Sequence, residues 1–294
     1  MKPVETMTPI YTLDFSEVGM RDVGRVGGKN ASLGQLYRAL KPQGVKVVDG
    51  FATTADAYWR LLDEAGLRGR LAAIFAEFDP ENLAQLAERG HAARTAVVET
   101  PLPEDIVTPI LESYRRLATR LGREPELAVR SSATAEDLPE ASFAGAAETF
   151  LNVRGEEGLL RAVHQCCASL FTDRAISYRA RLGYGQIKVA ISVGVMPMVR
   201  SDIASAGVIF TLDTESGFRD AITLTGSYGL GEFVVKGVVT PDEWIVFKTT
   251  LTQGFRPIIG RRLGSKEVRL VYGQGTSLTS SEATPILEIG RAHV

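Results

Sequence analysis

One segment constrains this chain more than any other: V-R-S-S-A-T-A-E-D-L-P-E-A-S-F-A-G, from Val129 to Gly145. A single arginine is followed by hydroxyl and small residues, then by two acids, then by another small-residue turn. That composition suits a polyphosphate. Arg130 offers a planar fork of donors to phosphate oxygens. Ser131, Ser132 and Thr134 add hydroxyls, while Ala133, Ala135, Ala144 and Gly145 let the main chain approach a ligand closely. Leu127 to Val129 reads as a short strand that delivers Arg130 to the loop. Taken alone, a segment rich in Ser and Thr is more often an ordinary polar surface loop.

A second feature favours phosphate. Asp22-Val23-Gly24-Arg25-Val26-Gly27-Gly28-Lys29-Asn30 runs straight into a helical pattern, with Leu33, Leu36, Tyr37 and Leu40 at i, i+3, i+4 and i+7. Free amides and the helix dipole make such a start an anion site. It is not a Walker A loop, because Val23 and Asn30 stand where Gly and Ser or Thr are needed. Gly229-Leu230-Gly231 is not a dinucleotide fingerprint either, since Val234 occupies the place of the third glycine. Lys29 by itself reads as a solvated cation; paired with Arg130 it reads as a phosphate ligand.

Five motifs in order carry a resemblance: G-G-K-N-A-S-L-G, A-V-R-S-S-A-T-A-E-D-L-P-E-A-S-F-A-G, A-S-L-F-T-D-R-A-I-S-Y-R, F-T-L-D-T-E-S-G-F-R-D and G-L-G-E. From about Tyr11 to Gly273 the chain resembles the N-terminal nucleotide-binding region of the phosphoenolpyruvate synthase (pyruvate, water dikinase) family. That family is related to pyruvate phosphate dikinase and rifampicin phosphotransferase. The resemblance implies an α+β, ATP-grasp-like, two-lobed nucleotide-binding domain, with nucleotide held between lobes and a hinge near Met196–Val199. It implies ATP and Mg²⁺ as cofactors. In the complete enzyme ATP would phosphorylate a carrier histidine, pyruvate would receive the group as phosphoenolpyruvate, and AMP and phosphate would be released.

By motif match, Lys29 and Arg130 would hold phosphates as the catalytic cations, with Ser131 and Ser132 beside them. Gly145 and Thr149 would line the nucleotide, backbone groups of Met198 and Val199 would meet the adenine edge, and Glu232 could reach the site. At the hinge Met196 replaces a glutamine of the family's V-Q-x-M-V, and Ala146 and Ala147 replace two further glutamines. The family's later strand, an acid followed by Q-A-R-P-E, carries Mg²⁺ ligands and has no match here. The carrier histidine and the pyruvate-binding barrel have none either. No metal ligand is therefore assigned. The alternatives are a nucleotide-binding module or fragment without turnover, and the ATP-binding part of a rifampicin phosphotransferase-like kinase.

The remaining expectations concern organisation. The first lobe is expected over residues 11–197, with helices near 30–40, 55–65, 82–98 and 104–121. A second, partial lobe is expected over 198–287, truncated at its C-terminal end. Residues 288–294, E-I-G-R-A-H-V, are expected to be a non-native tail without family counterpart, since they back-translate to a sequencing-adapter sequence. Asp173 is expected to cap a helix that Gly183 ends. His164 is expected to be a satisfied or solvent-facing histidine rather than a phosphocarrier. A net charge of −2 argues against nucleic acid and polybasic membrane binding. Adjacent Cys166 and Cys167 form no disulfide framework, and a start without an apolar h-region points to the cytoplasm. Pyruvate would be reached only through other domains, and the full-length protein would be a homo-oligomer.

Overall fold

In a computed structural model, residues 9–134 and 148–272 are described, together with the backbone of 281–285. The chain divides into two compact units, Met1–Met198 and Val199–Val294.

Unit 1 is built on a five-stranded antiparallel sheet. Its spatial order is β1 (Thr12–Asp14), β2 (Phe51–Thr53), β5 (Ile191–Pro197), β3 (Leu127–Ala133) and β4 (Thr149–Val153). The helix α1 (Val23–Leu40) covers one face. Between it and the sheet lies a core of Phe15, Val18, Val26, Ala31, Ala52, Ala128 and Met196. On the other face pack α2 (Ala55–Leu62) and α6 (Gly155–Ala168). The helices α3 (Leu67–Ile74), α4 (Leu83–Glu99), α5 (Glu104–Leu121) and α7 (Asp173–Arg181) complete the unit.

The helices form where apolar spacing and caps agree. In α5 the residues Ile106, Ile110, Tyr114 and Leu117 are buried on one stripe, and Gly122 closes it in the left-handed conformation at φ 66°. Asn82 caps α4 by accepting from the amides of Ala84 and Gln85, each at 3.1 Å. For α7 the expected cap is corrected by one residue. Thr172, not Asp173, stands at the N-cap in extended conformation and accepts from Ala175 N.

A larger correction falls on Arg130. The strand expected to stop at Val129 runs on through Ala133, so Ser131 and Ser132 are strand residues and not loop residues. Both are buried, and β3 pairs along its whole length with β5. In a central strand the ladder to β5 takes up backbone groups along the whole strand, and small side chains fit between covering layers. Their hydroxyls, read as a loop signal, do not exclude that place: Ser131 bonds Glu148, while Ser132 is buried without a partner among the described residues.

Unit 2 holds a four-stranded antiparallel sheet in sequence order: β6 (Ser205–Phe210), β7 (Ala221–Tyr228), β8 (Asp242–Phe247) and β9 (Ile258–Arg262). A separate hairpin pairs β10 (Val268–Tyr272) with β11 (Ser281–Pro285). The short helix α8 (Glu232–Val235) follows the G-L-G-E turn. There Gly229, at φ 82°, lies so near Leu270 that a Cβ would come 2.5 Å from its carbonyl oxygen.

Candidate functional site

Side chains alternate along β3. Leu127, Val129, Ser131 and Ala133 face α2 and α6, while Ala128, Arg130 and Ser132 face α1. The cross-strand partners on the α1 side are Met196, Gly194 and Ser192 in β5. Arg130 is exposed at the middle of this row, opposite Gly194 on one side and Thr149 of β4 on the other. Among the described residues no carboxylate forms an ion pair with its guanidinium.

Helix α1 is broken where it meets this row. Gly27 has φ 74° and ψ 162°, a conformation that essentially only glycine adopts. The helix resumes at Gly28, so Gly28, Lys29 and Asn30 form the first turn after the break, the part of a helix whose amides favour an anion. Gly27 touches Ser132: a Cβ on it would lie 2.2 Å from the hydroxyl oxygen and 2.6 Å from the carbonyl oxygen. The Ser132 hydroxyl is buried and has no hydrogen-bond partner among the described residues. Thus a helix N-terminus bearing Lys29, an orphaned hydroxyl and the Arg130 row share one face of the sheet. Cation, amides and guanidinium are the donor set that a polyphosphate takes.

The other expected residues divide. Thr149 stands directly across from Arg130. Ser131 lies on the opposite face, where its hydroxyl accepts from Glu148 N at 2.8 Å and its own amide bonds Glu148 O. It anchors the start of β4. Met198 ends unit 1 and packs against the α1-side core, with its amide donated to Glu126 O at 2.8 Å. Val199 opens unit 2 and is exposed. Glu232 begins α8 in unit 2 and pairs with Lys236 at 2.5 Å. Met196, which replaces a polar residue of the family pattern, is a core residue paired with Ala128. Gly145, with Ala144, Ala146 and Ala147, lies outside the described residues.

Sequence reasoning missed Asn30 and Gly27 as parts of the site. The signal available was the glycine pair before Lys29, which marks a break in a helix rather than a loop ahead of one.

His164 accounts for itself. Its Nε2 lies 2.8 Å from Val97 O, and burial holds the ring below its ordinary pKa. Cys166 and Cys167 are buried free thiols, and burial pushes Cys167 up to about 12. A cavity of about 520 Å³ lies on the far face of the sheet, lined by residues including His91, Arg94, Val98, Phe150 and Gln165. None of Lys29, Arg130, Ser132 and Thr149 borders it, and Arg94 is already bonded to Phe171 O and Asp173. No helix among the described residues is long and apolar enough to cross a membrane.

An α+β unit with such a broken helix set against an arginine-bearing strand is of the kind that binds phosphorylated ligands. Comparison with known proteins narrows that class. The pyruvate phosphate dikinase, AMP/ATP-binding domain family matches residues 23–291, and the chain belongs to it. That match reaches into the 288–294 segment. A phosphoenolpyruvate synthase from Synechocystis sp. is 53% identical over 268 residues, covering 90% of this chain and 33% of that protein. One from Escherichia coli is 49% identical over 258 residues, covering 88% and 32%. Another from Pseudomonas aeruginosa is 46% identical over 283 residues, covering 96% and 35%. The chain therefore spans about a third of the length of these relatives and corresponds to their ATP-binding portion.

Proposed function

We propose that unit 1 holds the polyphosphate of ATP on the α1 face of its sheet, with Lys29 and Arg130 as the principal cations. The contact between Gly27 and the orphaned Ser132 hydroxyl carries this reading. A glycine is required there, a buried hydroxyl is left without a partner among the described residues, and Lys29 and Arg130 each lie two residues along the chain from that contact. Arg130 would grip two phosphate oxygens with its fork, and Lys29 would supply a mobile point charge. The first-turn amides of α1 would neutralise charge without themselves moving, and Thr149 would line the nucleotide beside Arg130. Since phosphoryl transfer depends chiefly on positioning and charge neutralisation, these are the groups that would do this chain's share of it.

For the finer fold we infer an ATP-grasp-like organisation, in which Met198 and Val199 offer backbone groups to the base. Because the Met198 amide is committed to Glu126, its carbonyl is the group left for that purpose. Glu232 and Gly145 remain proposed as nucleotide contacts. Among the described residues no cluster of three or more His, Cys, Asp or Glu could hold a metal. Mg²⁺ is proposed to accompany the nucleotide, with its protein ligands supplied by the family's later strand, which has no match in this chain.

The wider activity proposed is that of a pyruvate, water dikinase, a cytoplasmic phosphotransferase in which pyruvate is engaged by other domains of a homo-oligomeric full-length protein. His164 supports the need for a carrier elsewhere, since its Nε2 is bonded to Val97 O and the ring is largely buried between α4 and α6. Titration with ATP and with tripolyphosphate tests the reading. Both should bind, and Arg130→Ala should abolish both. Undiminished binding by Arg130→Ala would sink it.

A further inference from the structure

A seam of uncharged polar side chains lies beneath the restarted turn of α1. Asn30 is 1% exposed. It donates from Nδ2 to Ser192 Oγ at 2.9 Å. The Ser192 hydroxyl in turn donates to Thr53 O at 2.5 Å, and Thr53 Oγ1 accepts from Val193 N at 2.9 Å. The seam thus ties α1 to β5 and β2 in one chain of bonds.

The direction of the chain is determined. The hydroxyl hydrogen of Ser192 is spent on Thr53, so Ser192 can only accept from Asn30. The amide group of Asn30 therefore points at Ser192, and its oxygen is directed to Gly194. There it sits so close that a Cβ on Gly194 would come within 2.2 Å. Gly194 is the cross-strand partner of Arg130, and Ser192 is that of Ser132. Asn30 consequently rests on the strand positions opposite the two residues that the phosphate reading uses, and it follows Lys29 in sequence.

Apolar contacts would hold a helix on a sheet without this arrangement, and Val26 and Ala31 already supply them. Apolar contact is non-directional, so it leaves the rotation of a helix turn about its axis loosely specified. A buried hydrogen bond is directional, and burying a polar group is costly unless its bonds are made. The seam is therefore suited to register, for which an apolar contact would not serve.

We propose that Asn30 is a positioning residue. It fixes the first turn of α1 after the Gly27 break, with the amides of Gly28 and Lys29, against the Ser132–Arg130 row, so that amides, lysine and arginine converge on one phosphate group. This rests on the phosphate reading above. It predicts that Asn30 governs affinity for the polyphosphate and not for the nucleoside. It also predicts that Asn30 and Ser192 act as one unit.

The test uses the full 294-residue chain and its variants Asn30→Ala, Ser192→Ala and the double substitution, titrated calorimetrically with tripolyphosphate and with adenosine, well below their melting temperatures. Each single substitution should weaken tripolyphosphate binding about tenfold, a loss equivalent to one directional contact. The double should be no weaker than the worse single, and adenosine affinity should be unchanged throughout. If the unsubstituted chain binds no tripolyphosphate, the phosphate reading itself fails. If it binds, and both singles bind as tightly while melting lower, Asn30 is merely structural and the positioning inference is overturned on its own. Should the variants not fold, the unsubstituted chain still decides. On saturation with tripolyphosphate the side-chain amide resonances of Asn30 should shift together with the backbone amides of Gly28 and Lys29. Movement of Gly28 and Lys29 with Asn30 unmoved would overturn the inference.

Discussion

Gly27 and Arg130 are the residues on which the site turns, and they fail differently when changed. Gly27→Ala must fit a methyl group 2.2 Å from the Ser132 hydroxyl, at a φ of 74°. Strain and overpacking together should lower stability by about 3 kcal/mol, and chemical denaturation would measure it. A variant within 0.5 kcal/mol of the parent, on a scale where most surface changes fall that close, would show that α1 relaxes there at little cost. Arg130→Ala should leave the unfolding midpoint nearly unchanged, because the side chain is exposed and its backbone ladder stays intact. It should nevertheless remove ATP binding. Arg130→Lys should bind at least about tenfold more weakly than the parent, because a point charge cannot reproduce the fork. Full affinity in the lysine variant would reduce Arg130 to a general positive charge.

At the scale of elements, α6 and α4 are joined by a pH-sensitive contact. His164 on α6 meets the carbonyl of Val97 on α4, and its burial holds the folded pKa below the ordinary 6.5. The unfolded chain therefore takes up a proton at a higher pH than the folded chain does. Stability is fully present above about pH 6.5 and is lost as pH falls through the unfolded value toward the depressed folded one. Urea unfolding at pH 7.5 and pH 5 should show this decline, and His164→Gln should flatten it. An identical decline in the variant would assign the pH dependence to other groups. The same helix buries Cys166 and Cys167, so thiol reagents should label neither until the chain unfolds.

For the whole molecule, the two units differ in how much apolar surface they bury. Most buried hydrophobic residues belong to unit 1, while Ala221, Leu230, Val239 and Leu270 are the described ones in unit 2. Unit 2 also exposes Ile209, Phe210, Ile259 and Leu263 on or beside its sheet. Hydrogen exchange should therefore show weaker protection in β6–β9 than in β3 and β5, and equal protection would show that unit 2 is stabilised by something other than its own core. Since the chain spans about a third of its relatives, we also expect it, by itself, to form no phosphoenolpyruvate from ATP and pyruvate and to bind ATP weakly. Pyruvate-dependent AMP formation by the purified chain would contradict this.

The sequence by itself determined the elements that announce themselves through period and punctuation. The helix expected over 104–121 carries its stripe from Ile106 to Leu117 and ends at Gly122, as its spacing requires. It also determined which motifs belong together, because five segments in order carry the family pattern. Strands of three residues, such as β1 and β2, are too short to show alternation and left no trace. Only the tertiary structure decided what the small polar residues do. Ser131 and Ser132 are identical and adjacent. One faces α6 and holds Glu148, the other faces α1 and has no partner among the described residues, because strand neighbours point to opposite sides. Asn30 reads as an ordinary helix residue until β5 supplies Ser192 as its acceptor, 162 positions away. Long-range pairing sets such roles, and a one-dimensional pattern carries no record of which distant residue will complete a bond.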